Sequence, residues 1–174
     1  MKKIFFILGI LSFCLIVNAQ KNKRFIFSTA IGSGIDMTMP NHTPFTWQLA
    51  GHYKLNEHVL VGAGTGFSFY EKMLIPVYAD IKLMITRPRK FTPFIEGSGG
   101  YSFVPYKNTN GGLYLYPSFG VQYSINKEHQ LYMTLGYEIQ KFERLKTFTN
   151  PLYTAEFVEK LNHNLVSVRM GYTF

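Results

Sequence analysis

His163-Asn164-Leu165-Val166-Ser167-Val168-Arg169-Met170-Gly171-Tyr172-Thr173-Phe174 ends the chain, and its alternation decides the fold. Val166, Val168, Met170, Tyr172 and Phe174 form one apolar row. Ser167, Arg169, Gly171 and Thr173 form the other, small or polar. A period of two with unlike rows is a strand whose two faces meet different solvents. A soluble domain rarely leaves a bare aromatic end such as Phe174, whereas a strand closing a membrane barrel has lipid on that side.

The same pattern extends backwards through the chain. Segments of strand length span Arg24–Ile35, Thr43–Leu55, His58–Tyr70, Ile75–Thr86, Phe91–Val104, Leu113–Ile125 and Gln130–Phe142, and the terminal stretch is the eighth. Each is long enough to cross a bilayer as a tilted strand, and no segment is helix-periodic or long enough for a spanning helix. Asn56-Glu57, Arg87 to Lys90 and Asn126 to Glu128 are tight turns, and the connections after the first, fifth and seventh segments are longer. Short inner turns alternating with longer outer loops fit a membrane barrel, with the link after the third segment as the exception. The predicted fold is all-β: an eight-stranded antiparallel up-and-down transmembrane barrel with both ends on the periplasmic side.

Composition agrees. Hydrophobic residues make up 47% of the chain, yet mean hydropathy is +0.00, so apolar residues are interleaved with polar ones. Sixteen Phe and twelve Tyr are present, and thirteen of the Phe and all of the Tyr recur after residue 20, as an all-β chain with much lipid-facing surface requires. Met1-Lys2-Lys3, the apolar run Ile4–Val17 and Asn18-Ala19-Gln20 read as a cleaved secretory leader, residues 1–19, before a barrel domain over 20–174. The single cysteine, Cys14, falls inside that leader, which leaves no thiolate chemistry and no disulfide in the mature chain. Cleavage removes two lysines and no acid, so the net charge of +8 falls to +6. The cations are scattered and no nucleic-acid motif accompanies them. Lipid phosphate and anionic glycolipid are the expected contacts.

Ile75-Pro76-Val77-Tyr78-Ala79-Asp80-Ile81-Lys82, Thr92-Pro93-Phe94-Ile95-Glu96-Gly97, Gly99-Gly100-Tyr101-Ser102-Phe103, Pro117-Ser118-Phe119-Gly120-Val121, Leu135-Gly136-Tyr137-Glu138 and Gly171-Tyr172-Thr173-Phe174 carry a resemblance. In these stretches the chain resembles the small outer-membrane β-barrel proteins of Gram-negative cells, over nearly all of the mature sequence. The resemblance implies an outer-membrane location. It also implies that Tyr172 and Phe174 are the signal read by the outer-membrane assembly machinery.

The inward rows hold Lys54, Lys82 and Arg169 with Asp80, Glu96 and Glu138, and His52 beside them. A lumen of eight strands is just filled by side chains, so these charges are expected to pair into a polar plug. The turn at Arg87 to Lys90 sets Lys82 nearly opposite Glu96. His52, Ser98 or Ser118, and Glu96 or Asp80 are the residue types of an acyl-transfer triad, but no spacing fixes their contact, and no catalytic residue is assigned. The five histidines lack ligand spacing, so neither a metal nor a cofactor is expected. Gly62, Gly64 and Gly66 alternate along a strand and are no phosphate loop; on the inner face they leave room for Tyr114, Tyr116 or Tyr132.

Glu143 to Asn162 is the longest break. Asn150-Pro151 can start a helical turn that residues 155–161 continue. This segment is either a lid over the barrel mouth or a contact surface, with Phe148, Tyr153 and Phe157 as candidate contacts. The function expected is therefore non-enzymatic: a structural or partner-binding barrel acting through its outer loops on an extracellular or envelope protein. A lipid-modifying enzyme and a small transporter of hydrophobic solutes are the alternatives. For the leader, the mass of protein extracted from membranes should correspond to a chain starting at Gln20; a mass that includes Met1 to Ala19 would refute cleavage.

Overall fold

The computed structural model describes residues 24–37, 43–70, 73–106, 109–126, 128–150 and 153–174, with the backbone alone for 144–161. The expected leader and its cleavage point lie outside the described residues. Nine β-strands form one antiparallel sheet: β1 Phe25–Asp36, β2 Phe45–Lys54, β3 Val59–Phe69, β4 Met73–Met84, β5 Phe91–Phe103, β6 Thr109–Asn110, β7 Gly112–Ser124, β8 Gln130–Asn150 and β9 Tyr153–Thr173. Eight of them are long and pair each with the next. The sheet closes where β1 meets β9, from Ser28↔Thr173 to Asp36↔Leu165. β6 is a two-residue bridge that leans on β8 at Glu143 and Arg144.

The alternation read in the sequence has become an inside-out molecule. Ile31, Ile81, Ile95, Phe119, Leu135, Val168 and Met170 are exposed, while Gln48, Asp80, Lys82, Glu138 and Arg169 are buried. So large a continuous apolar exterior has no place in water and matches a hydrocarbon layer. Aromatic residues border it at both ends. Phe25 packs on Tyr53 and Phe91 on Tyr123 near the chain termini. Phe45 stacks on Phe69 and Trp47 on Phe67 at the opposite end. With strands tilted as in small barrels, the rings of Phe45 and Tyr53 lie about 20 Å apart along the barrel axis, close to the height of an outer-membrane apolar band.

Two expectations are corrected. The break at Glu143–Asn162 is not a loop, and its residues 155–161 are not helical. β8 and β9 run on as one ladder of 21 residues each, from Gln130↔Thr173 to Asn150↔Tyr153. Thr147, Phe148, Thr149, Tyr153, Thr154, Phe157 and Val158 all favour extended backbone, and that preference prevails. The connection after the seventh long strand is thus short, and loop lengths do not alternate from end to end as expected.

The second correction concerns the inner glycines. Tyr114, Tyr116 and Tyr132 do not fill the space beside Gly62, Gly64 and Gly66. Cross-strand neighbours do: His52 faces Gly62, Gln48 faces Gly66 and Tyr78 faces Gly64. Tyr132 lies instead over Gly171, its partner on β9. Each vacancy is taken by the adjacent strand because the pairing register, not the width of the lumen, decides which side chain is near.

β5 provides a test of how tightly the wall is drawn. A methyl at Gly100 would stand 2.6 Å from Tyr78 Cα and 2.9 Å from Tyr78 Cβ, atoms that cannot rotate aside, whereas one at Gly97 would meet nothing within 4 Å. Gly100→Ala should lower stability by about 1–3 kcal/mol, read as a lower temperature at which the compact gel form converts to the unfolded one. Gly97→Ala should leave that temperature unchanged.

Candidate functional site in the lumen

The inward residues of β2, β7, β8 and β9 meet around one guanidinium. Arg169 donates from Nη1 to Gln48 Oε1 at 2.7 Å, and from Nη2 to Glu138 Oε2 at 2.6 Å and to Tyr114 Oη at 3.0 Å. Its flat face lies 3.4 Å from the centroid of the Tyr116 ring. The side chains of Arg169 and Glu138 are 3% and 0% exposed. Other hydrogen bonds tie the shell together: Tyr70 donates to Glu138 Oε1 at 2.9 Å, Tyr78 to Gln48 Oε1 at 3.2 Å, and Gln48 Nε2 to Tyr114 Oη at 3.0 Å. A buried charge is tolerable when it is paired and hydrogen-bonded, and both terminal nitrogens of Arg169 are, though its Nε is buried without a partner. Here one cation, one carboxylate, one amide and three phenols come from six different strands or strand ends. The result is a pin across the lumen.

Toward the chain termini lies a second layer. His52 Nε2 is 2.6 Å from Asp80 Oδ2, and Ser98 donates to Asp80 Oδ1 at 2.8 Å. These are residue types of a triad in the wrong order. The carboxylate sits in the middle, so Ser98 gives its proton to an acceptor that cannot act as the histidine base, and the other triad-type hydroxyl, Ser118, donates to the Glu96 carbonyl at 3.4 Å. The layer has room for about one water: the cavity beside it measures about 20 Å³.

Lys82 and Glu96 are direct cross-strand partners, with Nζ 4.0 Å from Oε2. The ammonium also lies over the rings of Phe94 and Tyr132, at 3.9 and 4.4 Å from their centroids. Lys54 stands apart from this network, at the open mouth near the chain termini. The sequence placed it with the luminal charges by parity alone, but β2 ends there and the mouth admits water.

A layer not foreseen lies toward the opposite end. His163 is sandwiched between Tyr70 and Phe142, with centroid distances of 4.9 and 5.4 Å, and its Nδ1 lies 2.7 Å from Asp36 Oδ2. Gln140 donates to Ser102 at 2.8 Å beside it. Gln48, Tyr70 and Tyr114 were likewise missed. Their inward parity was readable; their convergence across the lumen was not. At the seam, Phe174 continues the ladder by exchanging backbone hydrogen bonds with Phe27 at 2.9 and 3.1 Å, and the hydroxyl of Tyr172 is 2.8 Å from His129 Nδ1. Of the candidate contacts in the outer segment, Phe148 pairs with Ala155, Tyr153 with Asn150 and Phe157 with Lys146; their side chains lie outside the described residues.

The two charge pairs are predicted to differ. A cycle of Arg169→Gln and Glu138→Gln should give a coupling near the upper end of the usual range of about 0.5–3 kcal/mol, and Lys82→Gln with Glu96→Gln near the lower end. Lys82 keeps its aromatic contacts when Glu96 is lost, whereas Glu138 leaves Arg169 without its carboxylate. Urea unfolding in bilayers measures both, and equal couplings would contradict the geometry.

No protein-family model matches the chain, and no curated protein matches it in sequence. Solved structures do match in fold. Neisserial surface protein A superposes with a TM-score of 0.55 at 13% identity, covering 84% of this chain and 95% of its own. The N-terminal β-barrel domain of Pseudomonas aeruginosa OprF does so with 0.51 at 8% identity, covering 86% and 97%. The chain has the fold of the small eight-stranded outer-membrane barrels.

Proposed function

We propose that this protein is an integral barrel of a Gram-negative outer membrane that works without catalysis, by presenting its β8–β9 ribbon to a protein or glycan outside the cell. One observation carries the reading. Beyond Arg144, where β6 is the last neighbour to pair with β8, the β8–β9 ladder continues alone for six residue pairs, Leu145↔Val158 to Asn150↔Tyr153. That is about 20 Å of ribbon beyond what the barrel wall uses. A hairpin needs no such length to turn, and a twisted two-stranded ribbon with aromatic residues near its tip is suited to contact.

The filled lumen supports the same reading. The Arg169 pin and the His163 layer occupy the space through which a solute would pass, and the Ser98–Asp80–His52 order does not support acyl transfer. Recognition of Tyr172 and Phe174 by the assembly machinery, and contact of the outer face with lipid and glycolipid, belong to the same proposal.

Replacing residues 146–160 with a short Gly/Ser linker should leave the barrel heat-modifiable, while partner capture by cross-linking in intact cells disappears. A folded His52→Ala or Glu96→Gln variant that loses the cellular phenotype, when the linker variant keeps it, would place the function in the lumen instead.

A further inference from the structure

At the end where β1 begins and β9 ends, the described residues do not fill the lumen. A cavity of about 490 Å³ opens there, enclosed by the first residues of β1 and the turns after β2, β4 and β7. That size falls within the range of small-molecule sites, roughly 300–1,000 Å³. Its walls divide by chemistry. Ile26, Leu60 and Met84 make an apolar floor that continues into Phe94 and Tyr132. Lys54, Arg89 and Lys90 stand at the rim against a single acid, Glu57.

The cations are available. Among the described residues none of the three belongs to an ion pair, and Lys90 has only a distant approach to the Tyr123 ring, at 5.8 Å. Positive charges gathered at the mouth of a low-dielectric well focus their field into it. The well is also blind. Lys82 between Phe94 and Tyr132 caps it, and beyond that cap lie the Asp80 layer, with its 20 Å³ of space, and the Arg169 pin.

We propose that this cavity binds a small amphiphilic anion from the periplasm, a medium-chain monocarboxylate whose carboxylate meets the cationic rim and whose chain lies on the Ile26–Leu60–Met84 floor. Each methylene moved from water onto that floor is favourable, so chain and charge act together. A two-chained phospholipid is the wrong size for a floor of three apolar side chains, Ile26, Leu60 and Met84. The residues before Arg24 carry Lys21 and Lys23, the same sign as the rim, and are the wrong occupant.

Calorimetric titration of the barrel in zwitterionic nanodiscs, with empty nanodiscs subtracted, tests this. Decanoate should bind saturably at one per chain, butyrate at least tenfold more weakly, and decyltrimethylammonium not at all. The triple variant Lys54→Gln, Arg89→Gln, Lys90→Gln should weaken decanoate tenfold or more, and Lys141→Gln at the far end should not. Met84→Gln should weaken decanoate more than butyrate, which separates the floor from the rim. Heat-modifiability of each variant verifies its fold. Heat no greater than that of empty nanodiscs, equal binding of the cationic surfactant or of butyrate, or a triple variant that binds as the parent does, would each overturn the proposal.

Discussion

Everything in this molecule depends on the pairing of β1 with β9. A sheet in hydrocarbon cannot leave an edge, because no water is present to satisfy the unpaired amides and carbonyls. The first and last strands therefore have to find each other, and here they pair over nine residues, from Ser28↔Thr173 to Asp36↔Leu165. Phe27 and Phe174 extend the seam by two further hydrogen bonds at its very end. Phe174 is thus part of the ladder, with its ring on the exposed outer side.

Closure also fixes what the lumen holds. Arg169 comes from the closing strand and lies beside Gly32 on β1, where a side chain at Gly32 would strike the arginine stem, Cγ, at 2.5 Å. Glu138 on β8 and Tyr114 on β7 reach the guanidinium through the β7–β8–β9 ladder, but Gln48 on β2 does so only when the seam is made. A cation held this way is costly to leave half-paired, so the network favours the register that completes it over a register slipped by two residues. The apolar outer row by itself discriminates poorly between those registers, because a slip of two returns every side chain to the same face.

Much of this was legible in the sequence, for a reason with limits that are equally physical. Within the membrane the two faces of a strand meet different media, so Leu131, Met133 and Leu135 alternate with Tyr132, Thr134 and Gly136, and both strand and facing can be read. Tight turns then set register locally, which is why Lys82 could be set against Glu96. Outside the lipid both faces of a ribbon meet water. From Glu143 to Asn162 the two-medium alternation has no cause to persist, and a strand there reads as a break. Contacts across the lumen are hidden for another reason. The meeting of Tyr70 with Glu138 depends on the stagger accumulated around the whole barrel, and that of Asp36 with His163 on the register at which the first strand meets the last, which no local turn sets.

An eight-stranded barrel has little freedom over where it can act. Its outer face is committed to lipid and its middle to the side chains that keep charges paired, so binding falls to the two ends. Here the ends are unlike. At one, His163 packs between Tyr70 and Phe142 beside the strands that continue into the ribbon. The other opens into a cavity of about 490 Å³ with Lys54, Arg89 and Lys90 in its lining beside Ile26, Leu60 and Met84. The polar middle around Arg169 and Glu138 lies between them, and the lining of the cavity shares no residue with the His163 layer.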